Sequence, residues 1–148
     1  ADVTIATIPV GRKEAASLGI MQIAEDRRIT RFVEKPKDAA LQDSLRLPPE
    51  WYDKLGIEGE GERFLASMGI YIFSRDVIRQ LLENEHPDFG KHIIPQSIQT
   101  HRVWSYVFQG YWEDIGTIRA FFEANLDIAA ELRSRDKMSV MVLAASLD

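Results

Sequence analysis

The sequence predicts an α/β fold, and three observations carry that expectation. The opening run Val3–Val10 is mostly apolar and alternates poorly, as in a strand covered on both faces. Later strand candidates are separated by amphipathic helical stripes. Two of those helices open at recognisable capping residues, Ser74 and Thr117.

Taken in order, Val3–Val10 is the first strand, with Pro9 near its end, where a lost ladder donor matters least. Gly11, Arg12 and Lys13 read as a turn. Residues 19–24 and 29–34 are two short strands joined by the polar turn Glu25-Asp26-Arg27, hence a hairpin. From 36 to 63 the character changes. Pro48, Pro49, Gly56, Gly59 and Gly61 interrupt the segment, and Glu58, Glu60 and Glu62 charge its end. It reads as a long surface excursion with one helical turn around Trp51 to Leu55, started by Pro49. A loop of that length within a compact domain is usually functional or an insertion.

Order returns with a strand over 66–73. Ser74 then caps a helix whose Val77, Ile78, Leu81 and Leu82 share one face, and His86-Pro87 ends it. Residues 91–99 form another short helix, and 103–108 a strand. Thr117 caps the strongest helix, 118–133, with Ile118, Phe121, Phe122, Leu126, Ala129 and Ala130 as its apolar stripe. The apolar run 140–145 near the end suits a strand or a helix. A chain that opens within a strand also implies further sequence upstream.

Composition narrows the function. Eighteen basic residues against 23 acidic ones leave a net charge of −5, the wrong sign for a sequence-blind grip on nucleic acid. There is no cysteine, which excludes disulfides, zinc thiolates and a thiol nucleophile and is compatible with a reducing cytoplasm. No apolar run reaches membrane-span length. Neither Gly-rich phosphate cradle is present, and His86, His92 and His101 lack metal-binding spacing. Asp88-Phe89-Gly90 copies a kinase tripeptide without the kinase motifs that should accompany it.

Three clusters remain that could carry chemistry. In Phe32-Val33-Glu34-Lys35-Pro36, the proline biases Lys35 toward an extended conformation at a strand end. A lysine there is a point charge for a phosphate, and the adjacent glutamate accepts hydrogen bonds from sugar-like hydroxyls. A solvated ion pair at a strand end accounts for the same residues. In Tyr111-Trp112-Glu113-Asp114-Ile115-Gly116-Thr117, Asp114 sits at the carboxyl end of a strand, where open α/β sheets bind ligands. Its carboxylate suits Mg²⁺ beside phosphates, or simply favours the following helix N-terminus. In Ala66-Ser67-Met68-Gly69-Ile70-Tyr71, Ser67 and Gly69 permit either close approach of a ligand or tight strand packing.

Together these segments resemble the nucleotidyltransferases that couple a sugar 1-phosphate to a nucleoside triphosphate. Glu34-Lys35-Pro36 and Asp114-Ile115-Gly116 resemble features of the broad group. The stretches 66–71, 88–95 and 111–118 are similar to the glucose-1-phosphate adenylyltransferase (ADP-glucose pyrophosphorylase) family. The resemblance runs from residue 1 to about 131, and it implies a partial Rossmann-like nucleotidyltransferase sheet over 1–135, with 36–63 as an excursion and 136–148 as an atypical tail.

The resemblance implies roles residue by residue. Gly19 would meet glucose 1-phosphate through its backbone. Glu34 would hold the sugar and Lys35 its phosphate. Ser67 would contact the sugar, and Asp114 would be one of two aspartates that hold Mg²⁺. The family's Gly-rich pyrophosphate loop, its other metal aspartate and its C-terminal β-helix are absent from these 148 residues. Leu18 stands where the family more often has an aromatic, and His92 where it often has an acid. The expectation is a glucose-1-phosphate half-site, inactive alone and forming a homo-oligomer. Another sugar-nucleotide pyrophosphorylase, or a non-catalytic binding or assembly module, are the rival readings.

Overall fold

The computed structural model describes residues 1–58, 61–83, 88–133 and 141–144, with 131–133 and 141–144 as backbone. The chain divides into two compact units, Ala1–Phe108 and Gln109–Asp148. The first is a mixed α/β unit, as expected, with a five-stranded sheet flanked by helices.

Strand β1 (Val3–Val10) lies inside the sheet, with Val3 and Ile5 fully buried. A single-turn helix α1 (Arg12–Ala15) stands where a plain turn was expected. Its Ala15 is buried, and the Glu14 carboxylate accepts from the Gly11 amide at 2.7 Å, which stabilises the start of the turn. Strands β2 (Gly19–Ile23) and β3 (Ile29–Glu34) form the expected antiparallel hairpin. Strand β4 (Phe64–Phe73) pairs with both β1 and β2, and β5 (Val103–Val107) runs parallel to β1. The sheet order is β3-β2-β4-β1-β5. The β2–β3 turn bends back onto the outer edge of β5, where the Ser105 amide donates to the Arg27 carbonyl at 2.9 Å. That contact occupies part of an edge that would otherwise invite pairing.

The segment 36–63 is not merely a surface excursion. It holds helix α2 (Ala39–Leu45), capped by the Asp38 side chain, then a 3₁₀ turn Pro49–Trp51 and helix α3 (Tyr52–Leu55). The helical turn after Pro49 was expected, and α2 was not. Leu45, Leu47, Leu55 and Ile57 are all buried, and three of them join the main core beside Val3, Ile5, Leu65 and Ile93. Each such leucine or isoleucine contributes about 1.5–3 kcal/mol on burial, so the segment is part of the fold. Gly59 and Glu60 lie outside the described residues.

Helix α4 (Arg75–Leu82) follows β4 and buries Val77 and Leu81, whereas Leu82 is exposed. Ser74 is its N-cap residue by position, but its hydroxyl makes no capping bond. The expected end of this helix at His86-Pro87 falls outside the described residues. The helix expected over 91–99 is two elements: a wide π-type turn, Phe89–Ile93, capped by Asp88, and helix α5 (Ile94–Thr100). Pro95 sits in the first turn of α5, where its missing donor costs nothing.

In the second unit, strand β6 (Tyr111–Asp114) pairs in parallel with β7 (Met141–Ala144), which resolves the apolar run near the end as strand. Helix α6 (Ile118–Arg133) begins as expected, with the Ala120 amide donating to the Thr117 hydroxyl. Its expected stripe is not buried. Ile118, Phe121, Phe122 and Leu126 are exposed, and among residues 118–130 Ala124 is the buried one. Among the described residues no helix is long and apolar enough to cross a membrane.

Candidate functional site

Gly19 and Glu34 face each other at the open end of the β2–β3 hairpin, as cross-strand partners. The fit is close. A Cβ on Gly19 would lie 2.6 Å from the Phe32 ring and 2.9 Å from Glu34 Oε2. Any Cβ there would force the Phe32 ring and the Glu34 carboxylate to shift, so the close fit favours glycine. Gly90 approaches the same carboxylate from the π-type turn, with its Cβ position 3.1 Å from Glu34 Oε2 and 3.6 Å from Asp88 Oδ1. The Glu34 carboxylate therefore lies against backbone from two distant segments.

Lys35 follows at the strand end. Its φ is +46°, a left-handed conformation that costs a non-glycine L-residue about 1–2 kcal/mol. Its amide donates to the Leu18 carbonyl at 3.1 Å, closing the hairpin just beyond the Gly19–Glu34 pair. The extended conformation expected before Pro36 is thus overridden by tertiary contacts. The Lys35 side chain is exposed at the protein surface.

Ser67 enters from β4. The β1–β4 register slips here: Ile5 faces Tyr71 and Thr7 faces Ser67, so four residues of β4 span two of β1. Gly69, with φ +72°, sits within this bulge, and no atom lies within 4 Å of where its Cβ would be. Its positive φ favours glycine whatever the space, and the open space above it removes tight packing as the reason. Bulges of this kind re-aim side chains. The Ser67 hydroxyl lies 3.3 Å from the Tyr71 hydroxyl and accepts from the Gly69 amide at 3.3 Å.

Tyr71, Asp88, Phe89 and Gly90 complete the cluster, and sequence reasoning did not single them out as site residues. Tyr71 stacks on Phe89 with ring centroids 5.8 Å apart, and Phe73 meets Phe89 edge-on at 6.2 Å. Burial raises the Tyr71 pKa above its usual value, the Ser67 hydrogen bond opposes the rise, and the Glu34 and Asp88 charges add to it. Asp88 accepts from the Lys91 amide at 2.8 Å, and that bond holds its carboxyl below the usual range. The available signals were the four-residue spacing of Ser67 and Tyr71 on one strand and the capping position of Asp88.

The result is a patch of carboxylates and hydroxyls beside a small aromatic cluster, with a lysine at its border. Carboxylates and hydroxyls in such an array suit a polyhydroxylated ligand, and the lysine an anionic group on it.

Asp114 belongs to the second unit. It is the last residue of β6, half-buried, and its Oδ1 accepts from the Gly116 amide at 3.1 Å. Two residues earlier, the Trp112 indole N–H is buried without an acceptor among the described residues. A buried donor of that kind asks for an explanation in chemistry. Among the described residues no three metal-binding side chains cluster. Mg²⁺ beside a phosphate needs only one or two protein carboxylates, so Asp114 fits as a single ligand.

The family model for nucleotidyl transferases matches residues 1–131, most of the chain, and ends within α6. By that match, and with a fold of the expected class, the chain belongs to the nucleotidyl transferase family.

Proposed function

We propose that this chain carries the glucose-1-phosphate-binding portion of an ADP-glucose-forming nucleotidyltransferase. The observation that carries the reading is the meeting of Gly19, Glu34, Gly90, Asp88, Tyr71 and Ser67 at one end of the sheet. Glu34 accepts hydrogen bonds from sugar hydroxyls, and the Ser67–Tyr71 pair offers donors to the same ring. Lys35 neutralises part of the phosphate charge. Gly19 and Gly90 keep side-chain bulk away from the Glu34 carboxylate. Mg²⁺, when bound, would offset phosphate charge, and Asp114 is the residue here that would help hold it.

Within this reading the 148 residues hold the sugar phosphate but do not by themselves complete the transfer. The reaction joins the sugar phosphate to the α-phosphorus of ATP and expels pyrophosphate. Positioning both reactants supplies roughly 7–11 kcal/mol of such a barrier. No Gly-rich triphosphate cradle occurs in the sequence to hold the second one.

Calorimetric titration with glucose 1-phosphate tests the assignment. Lys35→Ala should weaken binding about tenfold to a hundredfold, the loss of a charge-assisted hydrogen bond. Equal affinity in the variant would remove Lys35 from the site. Incubation with ATP, glucose 1-phosphate and Mg²⁺ should release no pyrophosphate above the protein-free control. Turnover that disappears in Asp114→Ala would overturn that part of the reading.

A homo-oligomer belongs to the same proposal. Ile72 and Tyr106 on the sheet are 69% and 60% exposed, and exposed apolar surface favours association. Light scattering should give a mass above 16.9 kDa, and a monodisperse monomer at high concentration would exclude it.

A further inference from the structure

A buried amide in the 36–63 segment reaches back to the Lys35 turn. Gln42 lies on α2 and is only 6% exposed. Its Nε2 donates to the Pro36 carbonyl at 2.8 Å, and its Oε1 accepts from Arg12 Nη1 at 3.5 Å. These partners fix the amide's orientation. Turned over, it would set an oxygen against a carbonyl and an NH₂ against a guanidinium.

Arg12 is itself held in place. It pairs with Asp43, donates through Nε to Glu62 at 2.7 Å and lies over the Phe64 ring at 5.6 Å. Glu62 also accepts from Arg46 at 2.8 Å. The far end of the Gln42 amide is therefore tied to α1, α2 and the approach to β4.

What this network secures is an unfavourable turn. A left-handed φ is uncommon for lysine, and the following proline biases Lys35 toward extended backbone. Such a conformation persists only when its surroundings over-determine it. The Leu18 carbonyl holds the Lys35 amide from one side. The Gln42 amide holds the next carbonyl, that of Pro36, from the other.

We propose that Gln42 is a positioning residue: its amide, anchored by Arg12, latches the Pro36 carbonyl and keeps Lys35 in the left-handed turn from which its side chain meets the phosphate of a sugar phosphate. The proposal rests on the reading of Lys35 as the phosphate contact. It gives the 36–63 segment a task beyond packing, since the segment supplies the latch. Without the latch the Lys35 turn samples other backbone states, and apparent affinity falls in proportion to the competent fraction.

The test uses the full chain, isotopically labelled, with glucose 1-phosphate and inorganic phosphate as probes. Gln42→Leu removes both amide contacts at similar volume. Gln42→Glu keeps an acceptor for Arg12 and loses the donor to Pro36. In both variants the Lys35 amide resonance should move without ligand, and affinity for both probes should fall about three- to tenfold. In a Lys35→Ala background Gln42→Leu should add no further loss, because the latch acts only through Lys35. An unmoved Lys35 resonance, an unchanged affinity, or the same loss in both backgrounds would overturn the latch. If Gln42→Leu does not fold, Gln42→Glu decides. If neither folds, the wild-type Gln42 side-chain amide decides: its hydrogen exchange should slow when either probe binds, and exchange indifferent to both would overturn the proposal. Should Lys35→Ala bind as well as wild type, the Lys35 reading fails separately, while the Lys35 resonance in the Gln42 variants still reports whether the turn is held.

Discussion

Two carboxylates in this molecule stand at strand ends, yet they are held in different ways. Glu34 closes β3, and its surroundings come from β2, β4 and the Asp88–Gly90 turn. Asp114 closes β6, and the bond that shapes its turn comes from Gly116, two residues on. The Glu34 environment is assembled across the fold, whereas the bond that shapes the Asp114 turn spans two residues. The first should be fragile toward changes at distant positions. The Asp114–Gly116 bond should survive any substitution that keeps one acceptor oxygen.

The sharpest way to break this comparison is Gly19→Ala. The new Cβ would meet the Phe32 ring at 2.6 Å and Glu34 Oε2 at 2.9 Å, so both side chains must move. Overpacking of this sort costs about 1–3 kcal/mol, to be read by chemical denaturation. Displacement of Glu34 should also abolish binding of glucose 1-phosphate. Wild-type stability and affinity together would show that the Glu34 slot is loose.

A smaller effect tests the ion pairs that hold Arg12 beside Gln42. Glu62 is held down to a pKa of about 2, first by the Arg12 hydrogen bond and then by that from Arg46. A carboxylate with a depressed folded pKa contributes stability that is fully present above its unfolded value of 4.5. That contribution is lost as pH falls through about 2. The gap in denaturation midpoint between wild type and Glu62→Gln should therefore narrow steadily from pH 5 to pH 2. A gap independent of pH would mean that Glu62 acts through packing alone.

The smallest effect belongs to the local carboxylate. Asp114→Asn keeps the oxygen that accepts from Gly116, so stability should stay within about 0.5 kcal/mol of wild type. A loss well above that figure would place Asp114 in a wider structural network and erase the contrast with Glu34.

Local signals in the sequence were sufficient for the strands of the first unit and for their hairpin, but left the run that forms β7 open between strand and helix. Val3–Val10 and Ile29–Glu34 fall where apolar patterning put them, and Thr117 caps α6 as its position implied. They were insufficient for the 36–63 segment. Prolines and glycines mark its interruptions, but helix α2 is short, and Leu45, Leu47, Leu55 and Ile57 show no repeating stripe. They misjudged α6 as well: its most apolar positions are exposed, since periodicity identifies an apolar face without saying what covers it.

The same division runs through the candidate site. Sequence by itself determined that Glu34, Lys35 and Asp114 stand at strand ends, because strand limits follow from proline, turn residues and apolar runs nearby in the chain. The hairpin was legible as well, but its register was not: a slip between Gln22 and Ile23 is what sets Gly19 against Glu34. Only the tertiary structure decided that Tyr71, Asp88 and Gly90 join Glu34, and that Gln42 reaches the Lys35 turn. Those meetings depend on a bulge in β4 and on the packing of α2, and both are settled by contacts between residues far apart in the chain.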